Sequence, residues 1–325
     1  MRPARQEGQY RQHLVFIIVT HQPVKNSNLV EHDALQNVQI KIADIIFGVS
    51  SDHPNGLLNL EKSYLDFLCT ETPDLNIKGH YAGIPDIALC DDNKVFESDV
   101  AWNVYQVDGC PVFTLRSPIS GPDPYCIAPF SPDFRDGDVY YRLPYPGDVP
   151  EGFVPHPLEA PLFHLLMISI LAQGYGILVH ACGIDDNGRG LLFPASPDFG
   201  KTTMAQLWKN EARILNDERV VLRLRDGGLW ICGTPWHGDH EEFSTRCVPL
   251  EKIYFLNQSK KNTVNSQEGS AAALKLLSHC FHPFWDIEGM QFITDFAAQV
   301  TSDVPCYELG FVPDRKVVDF IRCVK

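Results

Sequence analysis

Between Gly190 and Trp208 the chain passes from a short apolar run through a polar loop into a helical pattern, and this passage limits the possible folds most tightly. Gly190-Leu191-Leu192-Phe193 reads as a short buried strand, and Thr202-Thr203-Met204-Ala205-Gln206-Leu207-Trp208 as a helix opening. The loop between them is Ala195-Ser196-Pro197-Asp198-Phe199-Gly200-Lys201. A strand, a tight loop and a helix N-terminus aim backbone N–H groups at a polyphosphate. The phosphate-binding loop is Gly, four residues, then Gly-Lys-[Ser/Thr]. Gly200, Lys201 and Thr202 occupy their places, while Ala195 stands where the first Gly belongs. On this pattern Lys201 reaches the β- and γ-phosphates of ATP and Thr202 holds Mg²⁺. Ser196, Phe199 and Thr203 belong to the same cradle. Pro197 has no N–H to donate, and Asp198 puts a negative charge where phosphate would lie. A helix N-terminus that merely uses Asp198 to offset its dipole is the plainer reading of the same residues.

The rest of the chain supplies the context. A length of 325 residues suggests about two domains. Residues 1–37 read as an arm or an overlong start. Residues 38–143 alternate apolar and polar in several short runs, and Val100–Val107, Asp108-Gly109 and Val112–Leu115 make a hairpin signal. This stretch reads as a mainly β module for recognition. Five prolines between Pro144 and Pro157 suggest a linker. From 158 onward the chain alternates strands with helices, beginning with a helix over Leu158–Gln173 that is apolar nearly all round and therefore buried. Strands follow at Gly176–His180, Ala212–Leu215, Val220–Arg225, Leu229–Cys232, Lys252–Leu256 and Val304–Leu309. Helices follow at Ser270–His279, Gly289–Val300 and Lys316–Cys323. Such interleaving argues an α/β domain over 158–325, with a mixed sheet because 212–232 is rich in hairpin signals.

The net charge of −14 argues against nucleic acid or an anionic membrane as partner. No run approaches the length of an apolar membrane span. The ten cysteines form no CxxC pair and read as buried thiols in a reducing cytoplasm. An assembly of like chains is compatible with the sequence.

Phosphoryl transfer also needs a metal site and a group that takes the acceptor's proton. Asn216-Asp217-Glu218-Arg219-Val220 leaves a strand sixteen residues past Lys201, which suits a carboxylate that must reach Mg²⁺ or an attacking hydroxyl. Taken alone, Asn-Asp is also a common turn. His180 ends a strand just before Ala181-Cys182-Gly183, where it could meet a phosphate or serve structure. Trp236 in Gly233-Thr234-Pro235-Trp236-His237-Gly238 could wall a base or peptide, or anchor a hairpin. His237–Glu242 and His279-Cys280-Phe281-His282 lack an established metal-ligand spacing. Phe281, Phe284 and Trp285 suit a core or a cap over the site.

The order His180-Ala181-Cys182-Gly183, Gly200-Lys201-Thr202-Thr203, Asn216-Asp217-Glu218-Arg219-Val220 resembles the HPr kinase/phosphorylase family, which is related in fold to ATP-dependent phosphoenolpyruvate carboxykinase. Gly233–Gly238 is similar to a segment of HPr-kinase-like proteins associated with peptide modification. The resemblance implies a mixed-sheet core built around the phosphate loop. It makes Asp217 the proton acceptor and Glu218 a metal contact in place of an Asp. It also carries over His180 as the active-site His and Arg219 as the Arg after the acidic pair. Ala195, Pro197 and Asp198 depart from the pattern. The implied activity is transfer of phosphate from ATP to a Ser or Thr hydroxyl of a peptide or small protein. A nucleotide- or peptide-binding module without turnover, and a kinase of a free amino acid, are the competing readings.

Overall fold

The computed structural model describes residues 37–98, 101–117, 121, 123–147, 149–197 and 199–324. The expectations placed on residues 1–36 and on Asp198 lie outside these. The chain is mixed α/β with two mixed sheets. Its described residues divide into two compact units, one holding 37–41 and those of 45–169, the other 42–44 and those of 170–324. The Pro-rich stretch 144–157 thus lies inside the first unit. Its segments are held there: the Tyr81 hydroxyl donates to the Pro155 carbonyl at 2.5 Å, and Asn59 donates to that of Val154.

The first unit is built on β1 (Asn37–Ile42), β2 (Ile45–Ser51), β3 (Leu68–Cys69), β4 (Leu75–His80), β5 (Lys94–Ser98), β6 (Trp102–Val107), β7 (Cys110–Leu115), β8 (Cys126–Pro129) and β9 (Asp136–Tyr141). They form one sheet in the order β3-β1-β2-β4-β9-β8-β7-β6-β5. The β2–β4 and β4–β9 pairs are parallel, while β5 to β9 run as an antiparallel meander. Helix α1 (Leu162–Ile170) supplies the apolar cover: Phe163 meets Phe47 edge-on at 4.9 Å and stacks on Tyr64 at 5.7 Å.

The second unit contains β10 (Gly176–Asp186), β11 (Arg189–Pro194), α2 (Lys201–Trp208), β12 (Arg213–Asn216), β13 (Arg219–Arg225), β14 (Gly228–Cys232), β15 (Cys247–Gln258), β16 (Thr263–Gln267), α3 (Gly269–Leu277), α4 (Ile287–Asp303), β17 (Cys306–Phe311) and α5 (Lys316–Cys323). The strands are ordered β11-β10-β13-β14-β15-β17-β16, with β12 also on β10. A parallel pairing of β11 with β15 closes β11, β10, β13, β14 and β15 into a ring.

Alternation decides which helix each strand residue meets. Leu192, Ile253 and Phe255 join the core containing Ala272 and Leu276 of α3 and Ile293, Phe296 and Val300 of α4. Their neighbours Leu191, Phe193, Tyr254 and Leu256 join the core of Met204 and Trp208 from α2 and Val317, Val318 and Ile321 from α5. The sheet is therefore sandwiched between two helical layers, and its strands are apolar on both faces. Among the described residues no helix is long and apolar enough to cross a membrane.

Candidate active site

β10 changes partners halfway along. Residues 176–180 pair with β13, residues 181–186 pair with β11, and residues 183–185 also pair with β12. This split brings the loop after β11 and the acidic segment after β12 to one end of the sheet. At the start of α2, Gly200 adopts the left-handed conformation (φ 99°, ψ 20°). Any Cβ there would also sit 2.7 Å from the Phe311 ring, so the position needs glycine twice over. Among the described residues with left-handed backbone Ala195 does not appear, so its methyl costs no strain. Ala195 is buried, and its carbonyl accepts from the Lys201 Nζ at 3.0 Å; that of Ser196 accepts from the same ammonium at 3.3 Å and from the Phe199 N–H at 3.2 Å. Lys201 is itself buried, and Thr203 is half-buried in the first turn.

The Thr202 hydroxyl donates to Asp217 Oδ2 at 3.3 Å, joining the helix opening to the acidic segment. Asp217 is 1% exposed, and its two oxygens accept main-chain N–H groups from Gly238 at 2.7 Å and His240 at 3.1 Å. Three donors aimed at one carboxylate fix its orientation. The Glu218 carboxylate reaches the same place: a Cβ on Gly238 would lie 2.6 Å from Glu218 Oε2 and 3.0 Å from Asp217 Oδ2. Asn216 shapes the turn. Its fully buried side-chain oxygen accepts from the Glu218 and Arg219 N–H groups at 2.7 and 2.8 Å, and its amide donates to the Thr234 carbonyl at 2.9 Å.

Arg219 is buried, pairs with Glu218 at 3.1 Å and faces the Phe281 ring at 5.7 Å. His180 lies opposite Arg219 in the β10–β13 register, its ring 6.3 Å from that of Phe281. The His180 N–H donates to the His279 carbonyl at 2.7 Å. Thr202, Asp217 and Glu218 thus gather at Gly238, while Arg219 and His180 meet at Phe281. No family model and no curated protein matches the chain. It is similar to a solved structure, the HPr(Ser) kinase/phosphatase from Coxiella burnetii. The two are 11% identical with a TM-score of 0.26, over 44% of this chain and 85% of that one.

Gly238 and His240 lie in segments the sequence singles out, but their role as donors to Asp217 is not legible there, because main-chain N–H groups leave no side-chain signature. His279 is a further neighbour. Burial holds its pKa below the ordinary value, the Lys201 and Lys275 charges adding to this and its hydrogen bond to the Lys275 carbonyl opposing it. Trp236 is 1% exposed, which makes it an anchor and not a wall for a ligand. One cysteine expectation needs correcting. Cys232 and Cys247 face each other across β14 and β15 and are joined as a disulfide, their Cα atoms 4.0 Å apart. The register, which spacing along the chain does not show, brings them together. Their bridge closes the base of the segment that carries Gly238 and His240.

Proposed function

We propose that the chain binds ATP with Mg²⁺ at the Ala195–Thr203 loop and transfers a phosphoryl group to a Ser or Thr hydroxyl of a peptide or small protein. The observation that carries this reading is the 3.3 Å contact between Thr202 and Asp217 at the helix opening that follows Gly200-Lys201. A carboxylate beside the hydroxyl of a Gly-Lys-Thr turn is what a metal-assisted transfer requires. Mg²⁺ is held by one or two carboxylates plus phosphate oxygens. Thr202 and Glu218 suit that set, with Asp217 beside them left to serve as the base. Among the described residues no three of His, Cys, Asp and Glu gather as a metal cage, so phosphate oxygens would have to complete the shell.

Bound ATP would supply the phosphoryl group and Mg²⁺ would neutralise its charge. Lys201 would exchange the Ala195 and Ser196 carbonyls for phosphate oxygens. Asp217, held by Gly238 and His240, would accept the hydroxyl proton of the acceptor as the new O–P bond forms and the β–γ bridging O–P bond breaks, ADP leaving with the electron pair. Glu218 would hold the cation. Arg219 and His180 line the site from the Phe281 side. Residues 38–143 would recognise the acceptor.

Calorimetry with a non-hydrolysable ATP analogue tests the first half of the reading, and label transfer from γ-labelled ATP to peptide, protein and amino-acid pools tests the second. No heat at millimolar nucleotide, with Lys201→Ala behaving as the natural chain does, would refute nucleotide binding. Binding without transfer to any hydroxyl would favour the non-catalytic module, which the Ala195 and Ser196 carbonyls seated on Lys201 also suit.

A further inference from the structure

A shallow cleft of about 150 Å³ opens beside the loop after β11, next to β15 and β17. Its walls include Ser196 and Phe199 from the loop, Phe255 and Asn257 from β15, Lys275 from α3 and Glu308 from β17. β11 stands between β10 and β15, so this cleft and Asp217 flank the loop on opposite sides. Ser196 belongs to both regions, since its carbonyl also touches Lys201. Phe199, 43% exposed, is an apolar ring left uncovered at the rim of a polar loop.

The polar side is already partly satisfied. Glu308 takes one hydrogen bond from Asn257 at 2.9 Å and another from Lys275, whose ammonium lies 5.8 Å over the Phe255 ring. With both Glu308 oxygens engaged, the carboxylate is a poor partner for the paired N–H groups of a guanine. Asn257 retains its Oδ1 acceptor and its second amide hydrogen. That adjacent donor and acceptor match the amino group and ring nitrogen of adenine.

We propose that this cleft takes the adenosine end of the nucleotide, with the base stacked on Phe199 and read by Asn257. The assignment rests on the phosphate-loop reading above and adds a base preference to it.

Calorimetric titration of the full chain with Mg²⁺ and ATP, GTP, inorganic triphosphate or adenosine separates the two. Expected are a preference for ATP over GTP of about tenfold or more, and its loss in Asn257→Asp. Phe199→Ala keeps the main-chain N–H groups of the cradle, so it should weaken ATP and adenosine about tenfold, the scale of one lost base–aromatic stack, and leave triphosphate unchanged. Equal affinity for ATP and GTP in the natural chain would overturn the proposal. So would equal shifts for ATP and triphosphate in Phe199→Ala, or no shift in either. Adenosine binding that Phe199→Ala weakens, with no triphosphate binding, would keep the cleft and remove the phosphate loop. No binding of any of the four ligands removes both. Both substituted side chains are exposed, and thermal melts of the variants check that the fold survives.

Discussion

The Asp217 carboxylate accepts two main-chain N–H groups and one hydroxyl, so a substitution that keeps its shape and removes its charge has two separable effects. In Asp217→Asn the amide offers one acceptor oxygen where the carboxylate offers two. The Gly238 or the His240 N–H then loses its partner in a buried place, at a cost of about 1–3 kcal/mol. Urea unfolding should show that loss, while nucleotide binding persists and transfer falls steeply. Unchanged turnover would remove Asp217 as the base. Gly238→Ala works differently. The added methyl group displaces the Glu218 carboxylate first, and that side chain is partly exposed and able to move. Stability should change by less than about 1 kcal/mol, and the Mg²⁺ concentration needed for half-maximal activity should rise. An unchanged Mg²⁺ requirement would take Glu218 off the metal. Asp217 was visible in the sequence because it follows a strand at a fixed distance from Lys201. Its two main-chain donors come from a segment more than twenty residues away, and only the register of β14 and β15 brings them back.

At the scale of elements, what sequence reading found and what it missed have one cause. The β6–β7 hairpin was plain because its Asp108-Gly109 turn and flanking apolar runs are local signals. β2 was missed because Ile45-Ile46-Phe47 is apolar without alternation, being covered on both faces. β10 was read only as far as His180, yet continues through Ala181-Cys182-Gly183 to two buried aspartates. β5 and β16, polar strands at sheet ends, gave no apolar pattern at all. The aspartate ending β10 is tied to the last helix. Asp186, fully buried, accepts from Arg322 of α5 at 2.8 and 3.1 Å and from Arg189 at 2.6 Å. Burial alone would raise its pKa, but these bonds outweigh it and hold the carboxyl below its ordinary value. The stabilisation is therefore full above the unfolded value near 3.8 and disappears as pH falls through the lower folded one. Arg322→Ala should cost about 3 kcal/mol, because it strips the main partner from a buried charge. A urea midpoint within error of the natural chain's would contradict this. The Cys232–Cys247 bridge makes a second element-scale prediction. With a sequence separation of 15, its reduction or Cys232→Ser should cost about 3 kcal/mol. The segment stays attached through the Ser244 N–H on the Leu215 carbonyl and the Gly233 N–H on that of Arg246, so binding should survive. Equal urea midpoints with and without reductant would show that the bridge contributes nothing.

Over the whole molecule, the two units should answer differently to pH and nucleotide, since burial of His279 and His282 lowers their pKa values and makes the second unit gain stability from pH 5.5 to pH 8. The first carries His156, whose Nδ1 accepts the Leu158 N–H and whose pKa burial pushes down to about 3. It also carries the half-buried Glu159, pushed up to about 8 by burial and by the nearby Glu61 charge. A histidine with a depressed folded pKa destabilises the folded unit as pH falls from 6.5 toward 3, since the unfolded chain then binds the extra proton. A carboxyl with a raised folded pKa does the reverse. Its contribution is complete below the unfolded value of 4.5 and fades as pH rises through about 8. The two slopes oppose each other between about 4.5 and 6.5, so the first unit should be flattest there and lose stability on either side. The alkaline loss should be the smaller, because Glu159 keeps some solvent. The second unit holds the candidate nucleotide loop, and ligand at a hundred times its Kd should add about 2.7 kcal/mol to that unit alone. Urea unfolding followed at pH 5.5 and pH 8, each with and without Mg·ATP, should therefore give two transitions. One moves to lower urea at pH 8 and ignores nucleotide, and Glu159→Gln removes its shift. The other moves to higher urea with nucleotide, and Lys201→Ala abolishes that shift. A single transition that follows both variables would mean that the units unfold as one body. A nucleotide shift in the transition that Glu159→Gln controls would place the ligand in the first unit, against the site built around Lys201 and Asp217.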